Sequence, residues 1–437
     1  MKKVAIIGGG ESGVGAAILA KKMGIEIFLS DFGSLDEKSK VELISNEISF
    51  EEGGHDFSRL LEAEVVIKSP GVPDHAPVLR MLSENGRKVI SEIEFGFLFY
   101  SGLTMGITGS NGKTTTSGLL YHVLHSAGLD VALGGNYGKS FARIVAESQP
   151  KYMVLEVSSF QLDDIDTFKP FISVLLNITP DHLDRYEYNM NLYADAKFNI
   201  TSNQDISDYF IYNGNDHEIV MRLNKKSILA QKISVTDEMY KNGLYKSDGS
   251  GKFTFDLLGK HNLFNGQCVV EVCRILGLSE SDIDKGLGSF INLPHRLEKV
   301  GRIDEVSYIN DSKATNVDSV FFALEAMTSP TIWIAGGTDK GNEYDVLIPL
   351  IREKVKALIC LGVDNTKLRQ SFEGIIPAIV ETQSIDQAIA LAQEMSAPND
   401  VVLLSPACAS FDLFKNYMDR GDQFKKAVRS YQEKNKV

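Results

Sequence analysis

The chain has 437 residues, 43% hydrophobic and 24% charged, with a formal net charge of −13 at pH 7. Such a length suggests about three domains of ordinary globular composition, and an acidic balance argues against a general nucleic-acid binder, which carries a basic face. No apolar run reaches the ~18 residues of a membrane span. The opening, MKKVAIIGGG, breaks into glycine with no small-residue cleavage site, so it reads as a first strand and not a signal peptide. Cys268, Cys273, Cys360 and Cys408 form no C-x-x-C pair and are expected as buried thiols of a reducing compartment.

Val4–Gly8 reads as a strand, followed by Gly8-x-Gly10-x-x-Gly13, a helix to Met23, and a second strand Glu26–Ser30 that ends at Asp31. This is a Rossmann-like opening: the glycines allow a tight turn and close approach of a pyrophosphate, and the acid suits ribose hydroxyls. The same motif also suits a turn that binds nothing. Its default ligand, NAD or FAD, conflicts with a second nucleotide loop downstream. Val65–Lys68 is a further strand, running into Ser69-Pro70-Gly71-Val72.

That second loop is Met105–Thr116, MGITGSNGKTTT. An apolar strand, Leu103–Thr108, precedes it, and the helical pattern Ser117–Ala127 follows. Backbone N–H groups of a loop containing Gly109, Ser110, Asn111 and Gly112 can close around phosphate oxygens. Lys113 adds a point charge, and the hydroxyls of Thr114 and Thr115 follow at a helix start. The match to G-x-x-x-x-G-K-[ST] is imperfect, because Ile107 stands where the first Gly is expected.

Gly134–Gly138, with Asn136 inside it, reads as a turn joining strand to helix. Tyr152–Val157 is a buried-strand pattern bearing Glu156, followed by Ser158. A carboxylate at the carboxyl end of a strand lies where ligands bind, and Mg²⁺ favours such an oxygen beside phosphates. The strand Phe171–Asn177 runs into Ile178–Arg185, which places His182 among acids. Tyr193-Ala194-Asp195-Ala196-Lys197 follows on a probable helix; composition alone makes Lys197 a surface lysine. Residues 203–256 read as peripheral strands. A helix opens at Leu257-Leu258-Gly259-Lys260-His261-Asn262 and runs to Leu276, with Asn262 suited to N-capping.

Beyond Pro294-His295-Arg296, strand patterns fall at Val306–Ile309, Thr331–Ala335, Ala357–Leu361, Ala378–Glu381 and Val401–Leu404, separated by helical ones. They predict a second open α/β sheet. Three polar loops follow its strands: Asn310–Asn316, Gly336–Gly341 and Ser405–Asp412. Together they form a crevice for a small polar molecule. Lys313, Lys340, Thr315 and Ser410 suit a dicarboxylate, although Lys340 equally suits a solvated loop.

The string T-G-[ST]-N-G-K-[ST]-T, here Thr108–Thr115, resembles the ATP loop of the Mur ligases and folylpolyglutamate synthases. N-[IV]-T-x-D-H-[LM]-D, L-x-G-x-H-N-x-x-N, N-D-S-K-A-T-N, G-G-x-D-K-G and S-P-A-C-A-S-x-D-x-F-K-N-[FY]-x-x-R-G follow in the order expected of the D-glutamate-adding branch of the Mur ligases. The likeness covers essentially the whole chain. Thr338 in the Gly-Gly turn and Tyr417 at an aromatic position are minor departures.

The resemblance implies three α/β domains. A Rossmann-like domain over 1–91 takes the uridine nucleotide, a P-loop ATPase-type domain over 92–292 takes ATP, and a Rossmann-like open-sheet domain over 293–437 takes the amino acid. It implies ATP-dependent amide formation between UDP-N-acetylmuramoyl-L-alanine and D-glutamate, with an acyl phosphate, in a cytoplasmic monomer without nucleic acid or membrane partners. Lys113, Glu156, His182 and Lys197 would be catalytic. Thr114 and Glu156 would hold one Mg²⁺, and His182 with carbamylated Lys197 a second. ATP would meet residues 109–115, Asn262, Asn265, Arg296 (at the hinge) and Asp311. Substrate contacts would come from Gly10, Ser12, Asp31, Ser69, Asn136, Ser158, His182, Lys313, Thr315, Lys340, Ser410, Phe411 and Tyr417. Of the other classes, a nicotinamide-dependent oxidoreductase rests on Gly8–Gly13 alone. A nucleotide-gated binding module would release no phosphate.

Overall fold

A computed structural model of the chain describes residues 1–434. They form two compact units: Met1–Phe255 with Phe264–Phe290, and Asp256–Leu263 with the chain from Ile291 onward. The first unit contains two sheets, and both are wholly parallel. One comprises β1 (Lys3–Ile7), β2 (Glu26–Asp31), β3 (Ser49–Glu52), β4 (Val65–Lys68) and β5 (Lys88–Ser91), in the order β3-β2-β1-β4-β5. The other comprises β6 (Leu103–Thr108), β7 (Val131–Gly135), β8 (Tyr152–Glu156), β9 (Ile172–Leu175), β10 (Tyr209–Asn213) and β11 (Gln231–Val235), in the order β11-β10-β9-β6-β8-β7.

Continuous apolar runs such as VAII in β1 and MVL in β8 make these central strands, because helices cover both faces of a parallel sheet. The order reverses beside β1 in one sheet and beside β6 in the other. Such switch points open a crevice at the carboxyl ends of the strands, and the two glycine loops lie there.

The second unit is a mixed sheet. It contains β12 (Glu298–Ile303), β13 (Val306–Asn310), β14 (Thr331–Gly336), β15 (Val355–Leu361), β16 (Ala378–Thr382) and β17 (Val401–Ala407), in the order β12-β13-β17-β14-β15-β16. β12, which the strand pattern missed, is an antiparallel edge strand, joined to β13 through Asp304 and Glu305 at φ 44° and 65°. Its sequence, EKVGRI, carries the charge typical of an edge and no apolar run. β13, β17 and β14 are neighbours, so the three polar loops leave one stretch of one sheet edge.

The predicted helix at Ser117 begins earlier, at Lys113, directly on the glycine loop. The helix expected from Leu257 begins at Lys260. Asn262 therefore lies inside the first turn and is not its N-cap; its Nδ2 donates to the Leu258 carbonyl at 2.7 Å. Residues 203–256 supply β10 and β11, with a single bridge between Tyr245 and Lys252. The four cysteines are buried and unpaired. Among the described residues no helix is long and apolar enough to cross a membrane.

Candidate active site

The phosphate-type loop is built from backbone conformations that favour glycine. Gly112 has φ 86°, and a Cβ there would stand 2.9 Å from Oδ1 of Asn265. Lys113 is the first residue of the helix Lys113–Ser126, and its Nζ donates to the carbonyls of Gly109 (2.6 Å) and Ser110 (2.9 Å). The loop is stapled to the segment after β9. Asn177 Oδ1 accepts from Asn111 N–H at 2.8 Å, and its Nδ2 donates to the Asn111 carbonyl at 3.0 Å. Ser110 Oγ donates to the Thr179 carbonyl at 2.8 Å and shares a 3.0 Å hydrogen bond with the Tyr193 hydroxyl. The glycine loop and the segment that follows β9 are thus tied together through Asn177, Thr179 and Tyr193. Asn177 and Tyr193 were not singled out in the sequence; Tyr193 stands in the Y-A-D-A-K string beside Lys197.

Glu156 ends β8 and pairs in register with Ile107 of β6. Its carboxylate is buried; Oε1 accepts from Asn136 Nδ2 at 2.9 Å, while Oε2 has no hydrogen-bond partner. An orphaned, buried carboxylate oxygen beside a phosphate loop is the donor a divalent cation requires. Thr114 is also buried. Among the described residues no group of three or more His, Cys, Asp or Glu could hold a metal ion. Mg²⁺ at Glu156 would therefore be completed by phosphate oxygens and hydroxyls, its usual surroundings in nucleotide sites.

Lys197 is not the surface lysine that composition suggests: it is 1% exposed. Its Nζ donates to the Gly109 carbonyl at 3.0 Å and lies 4.3 Å from the centre of the Tyr193 ring. Burial, reinforced by the charge of Lys113, holds its amine well below the usual lysine range. His182 lies in the left-handed region at φ 50°, largely exposed, 3.7 Å from Asp181 and edge-on to Phe160 at 5.5 Å.

On the first sheet, Asp31 accepts from Gly9 N–H at 2.6 Å and from Gly33 N–H at 2.7 Å, which fixes it against the glycine turn. Gly10 is the N-cap of helix Glu11–Lys22, which contains Ser12. Ser69 Oγ donates to the Gly8 carbonyl at 2.9 Å, so the two turns touch. Ser158 is committed to a capping box with Gln161.

In the second unit Lys313 lies 3.9 Å from the centre of the Tyr417 ring. Thr315 is half-buried, Ser410 buried, Lys340 exposed and Phe411 73% exposed. Arg420, also missed, is buried at the base of these loops; it donates to Ser312 O at 2.9 Å, Cys408 O at 3.2 Å and Gly336 O at 3.4 Å. The R-G at the end of the last motif was the available signal. Asn262 and Arg296 belong to this unit and Asn265 to the first.

Asp311 accepts from Ser405 Oγ at 3.0 Å and from Leu297 N–H at 3.2 Å, and burial pushes its carboxyl up to about 7. A raised carboxyl pKa means that the folded state holds the proton more tightly than the unfolded one. Stability therefore falls as pH rises from the ordinary carboxylate range through 7. Asp311→Asn, whose Oδ1 can still accept from Leu297 N–H while its Nδ2 donates to a reoriented Ser405 hydroxyl, is expected to flatten the decline of Tm between pH 5 and 8. An unchanged decline in thermal melts would exclude Asp311 as its source.

A model of the MurD N-terminal domain matches residues 3–78, one of the Mur ligase middle domain residues 107–273, and one of the Mur ligase glutamate ligase domain residues 295–408. The UDP-N-acetylmuramoylalanine–D-glutamate ligase of Christiangramia forsetii is 50% identical, over 98% of this chain and 99% of that protein. The chain belongs to the Mur ligase family. The Bacteroides fragilis protein of the same name is 44% identical, over 98% of this chain and all of that one. The MurF ligase of Thermotoga maritima, solved in complex with ADP, shares the fold at a TM-score of 0.62 and 15% identity, covering 94% of this chain and 95% of that one. Mur ligase membership sets aside the dinucleotide reading of Gly8–Gly13 as the basis of an oxidoreductase.

Proposed function

We infer that this Mur ligase joins D-glutamate to UDP-N-acetylmuramoyl-L-alanine at the expense of ATP, releasing ADP and phosphate. The observation that carries the chemistry is the buried, half-satisfied Glu156 one strand away from a lysine-bearing glycine loop. The choice of substrates follows from the relatives' names and the Ser405–Gly421 motif. Residues 1–91 form the uridine-nucleotide domain, 92–292 the ATP domain and 293–437 the amino-acid domain of a cytoplasmic monomer.

A carboxylate resists attack by an amine because its leaving group would be oxide. Transfer of the γ-phosphoryl group to a carboxylate oxygen breaks the bond to ADP and gives an acyl phosphate. The D-glutamate amine then attacks the carbonyl carbon, loses a proton, and phosphate departs. The protein's part is positioning and charge stabilisation. Lys113 offsets charge on the outer phosphates, and Gly109–Gly112 and Thr115 hold them. Gly10, Ser12, Asp31 and Ser69 receive the uridine diphosphate, and Asn136 and Ser158 the muramoyl arm. Lys313, Thr315, Lys340, Ser410, Phe411 and Tyr417 receive D-glutamate, while Asn262, Asn265, Arg296 and Asp311 serve the nucleotide.

Mg²⁺, held by Thr114 and Glu156 at one position and by His182 and carbamylated Lys197 at another, supplies positive charge to the phosphates. A lysine amine kept neutral by burial can add CO₂ and release a proton, which turns a neutral amine into an anionic carbamate that could serve as a ligand.

Phosphate release from ATP with UDP-N-acetylmuramoyl-L-alanine tests the reading. Release is expected with D-glutamate and not with L-glutamate, L-lysine or meso-diaminopimelate. Release with another amino acid would overturn the substrate assignment, and none with any would overturn the ligase.

A further inference from the structure

The loop bearing His182 is held in shape by side-chain contacts that reach beyond its own sheet. Leu183–Tyr186 is a 3₁₀ turn between His182 at φ 50° and Glu187 and Tyr188 at φ 54°. Left-handed backbone at three large side chains persists only where its surroundings over-determine it. Arg185 Nη2 donates to the carbonyls of Val72 (3.2 Å) and Pro70 (3.4 Å), both in the turn that follows β4. The same guanidinium lies 4.4 Å from the centre of the Phe160 ring. Phe160 in turn stacks on Tyr186 at 5.8 Å and meets His182 edge-on. A second tie runs nearby: the Tyr186 hydroxyl donates to Asp163 at 2.8 Å, while Lys68, the last residue of β4, pairs with Asp164 at 2.6 Å and with Asp74.

The turn Ser69–Val72 and the His182 loop belong to different sheets, yet one planar cation joins them. A guanidinium suits this: it offers several donors to carbonyls and a face to an aromatic ring at once. We propose that Arg185 is a positioning residue that couples the Ser69–Val72 turn to the His182 loop, so that substrate bound against the turn fixes His182 for the reaction. This rests on the ligase reading, in which Ser69 meets the uridine nucleotide. Coupling between two ligands is reciprocal. Mg²⁺-ADP at the glycine loop and UDP-N-acetylmuramoyl-L-alanine at the turn should therefore strengthen one another.

The test is calorimetric binding of UDP-N-acetylmuramoyl-L-alanine to the full chain with and without Mg²⁺-ADP. Wild type is expected to bind about tenfold tighter when Mg²⁺-ADP is present. In Arg185→Met that factor should fall toward one, and Arg185→Lys should restore only part of it, with Tm close to wild type. In phosphate release, the KM for the uridine substrate should rise and kcat fall while the KM for D-glutamate stays put. A wild-type factor in Arg185→Met, or no factor in wild type, overturns the proposal. So does an equal change in every KM, which marks a merely structural role. Phe160→Leu keeps the carbonyl contacts and removes the aromatic face; it should also lower the factor, and an unchanged factor there counts against the proposal even if the Arg185 variants do not fold. Coupling without D-glutamate-dependent phosphate release would sink the ligase reading and spare the coupling; release without coupling does the reverse.

Discussion

Lys113→Ala is expected to lower D-glutamate-dependent phosphate release by about 10³-fold, the scale on which charge aimed at a transferring phosphoryl group acts. The side chain does two things that alanine cannot. It carries the positive charge at the mouth of the loop, and it braces the loop from within by donating to the Gly109 and Ser110 carbonyls. Loss of the brace alone would weaken nucleotide binding; loss of the charge lowers kcat. Because the helix Lys113–Ser126 starts at this residue and alanine is a good helix former, the fold should survive, and a thermal melt checks that it does. Near-wild-type release from a folded Lys113→Ala protein would refute the loop's assignment to ATP.

Lys197→Ala should lose activity by about 10²-fold or more, in line with removal of a residue that orients or holds a catalytic metal. Added acetate or propionate should restore part of it, because a free carboxylate can occupy the place of the carbamate in the space alanine leaves. The parent enzyme should lose activity when bicarbonate and CO₂ are stripped and regain it on their return. Only the neutral amine adds CO₂, so the dependence on bicarbonate should grow steeper as pH falls through the lowered pKa of Lys197. Full activity of Lys197→Ala without added carboxylate would end the carbamate assignment. The two lysines also bear on each other: the charge of Lys113 is among the causes that keep the Lys197 amine neutral, so Lys113→Ala should raise the pKa of Lys197.

What could be read from the residues was what single positions dictate. Glycine at 109 and 112 and an apolar run at Leu103–Thr108 announce a strand, a turn with left-handed backbone and a helix start, and the structure has them. Glu156 was legible because a carboxylate closing an apolar strand has few places to go. Partnership across the chain was not legible. Lys197 gives no local sign of burial; it is enclosed because Gly109 and Tyr193 are brought to it by folding. Asn177 reads as the end of a strand and Arg185 as a loop residue until their partners at Asn111, Pro70 and Val72 are known. β12 was missed for a different reason: an edge strand lacks the apolar run that marks buried strands.

The order of strands in the last sheet has a consequence for biosynthesis. β17 lies between β13 and β14, yet among the described residues it is the last strand in sequence. While the nascent chain is emerging, β13 and β14 have no central strand to pair with, and each presents an open row of backbone donors and acceptors. Translation must pass Ala407 before the sheet can close, so a premature stop upstream removes its middle and leaves two unmatched fragments. Closing it also joins residues far apart in sequence, which slows folding and prolongs the interval in which a chaperone is useful.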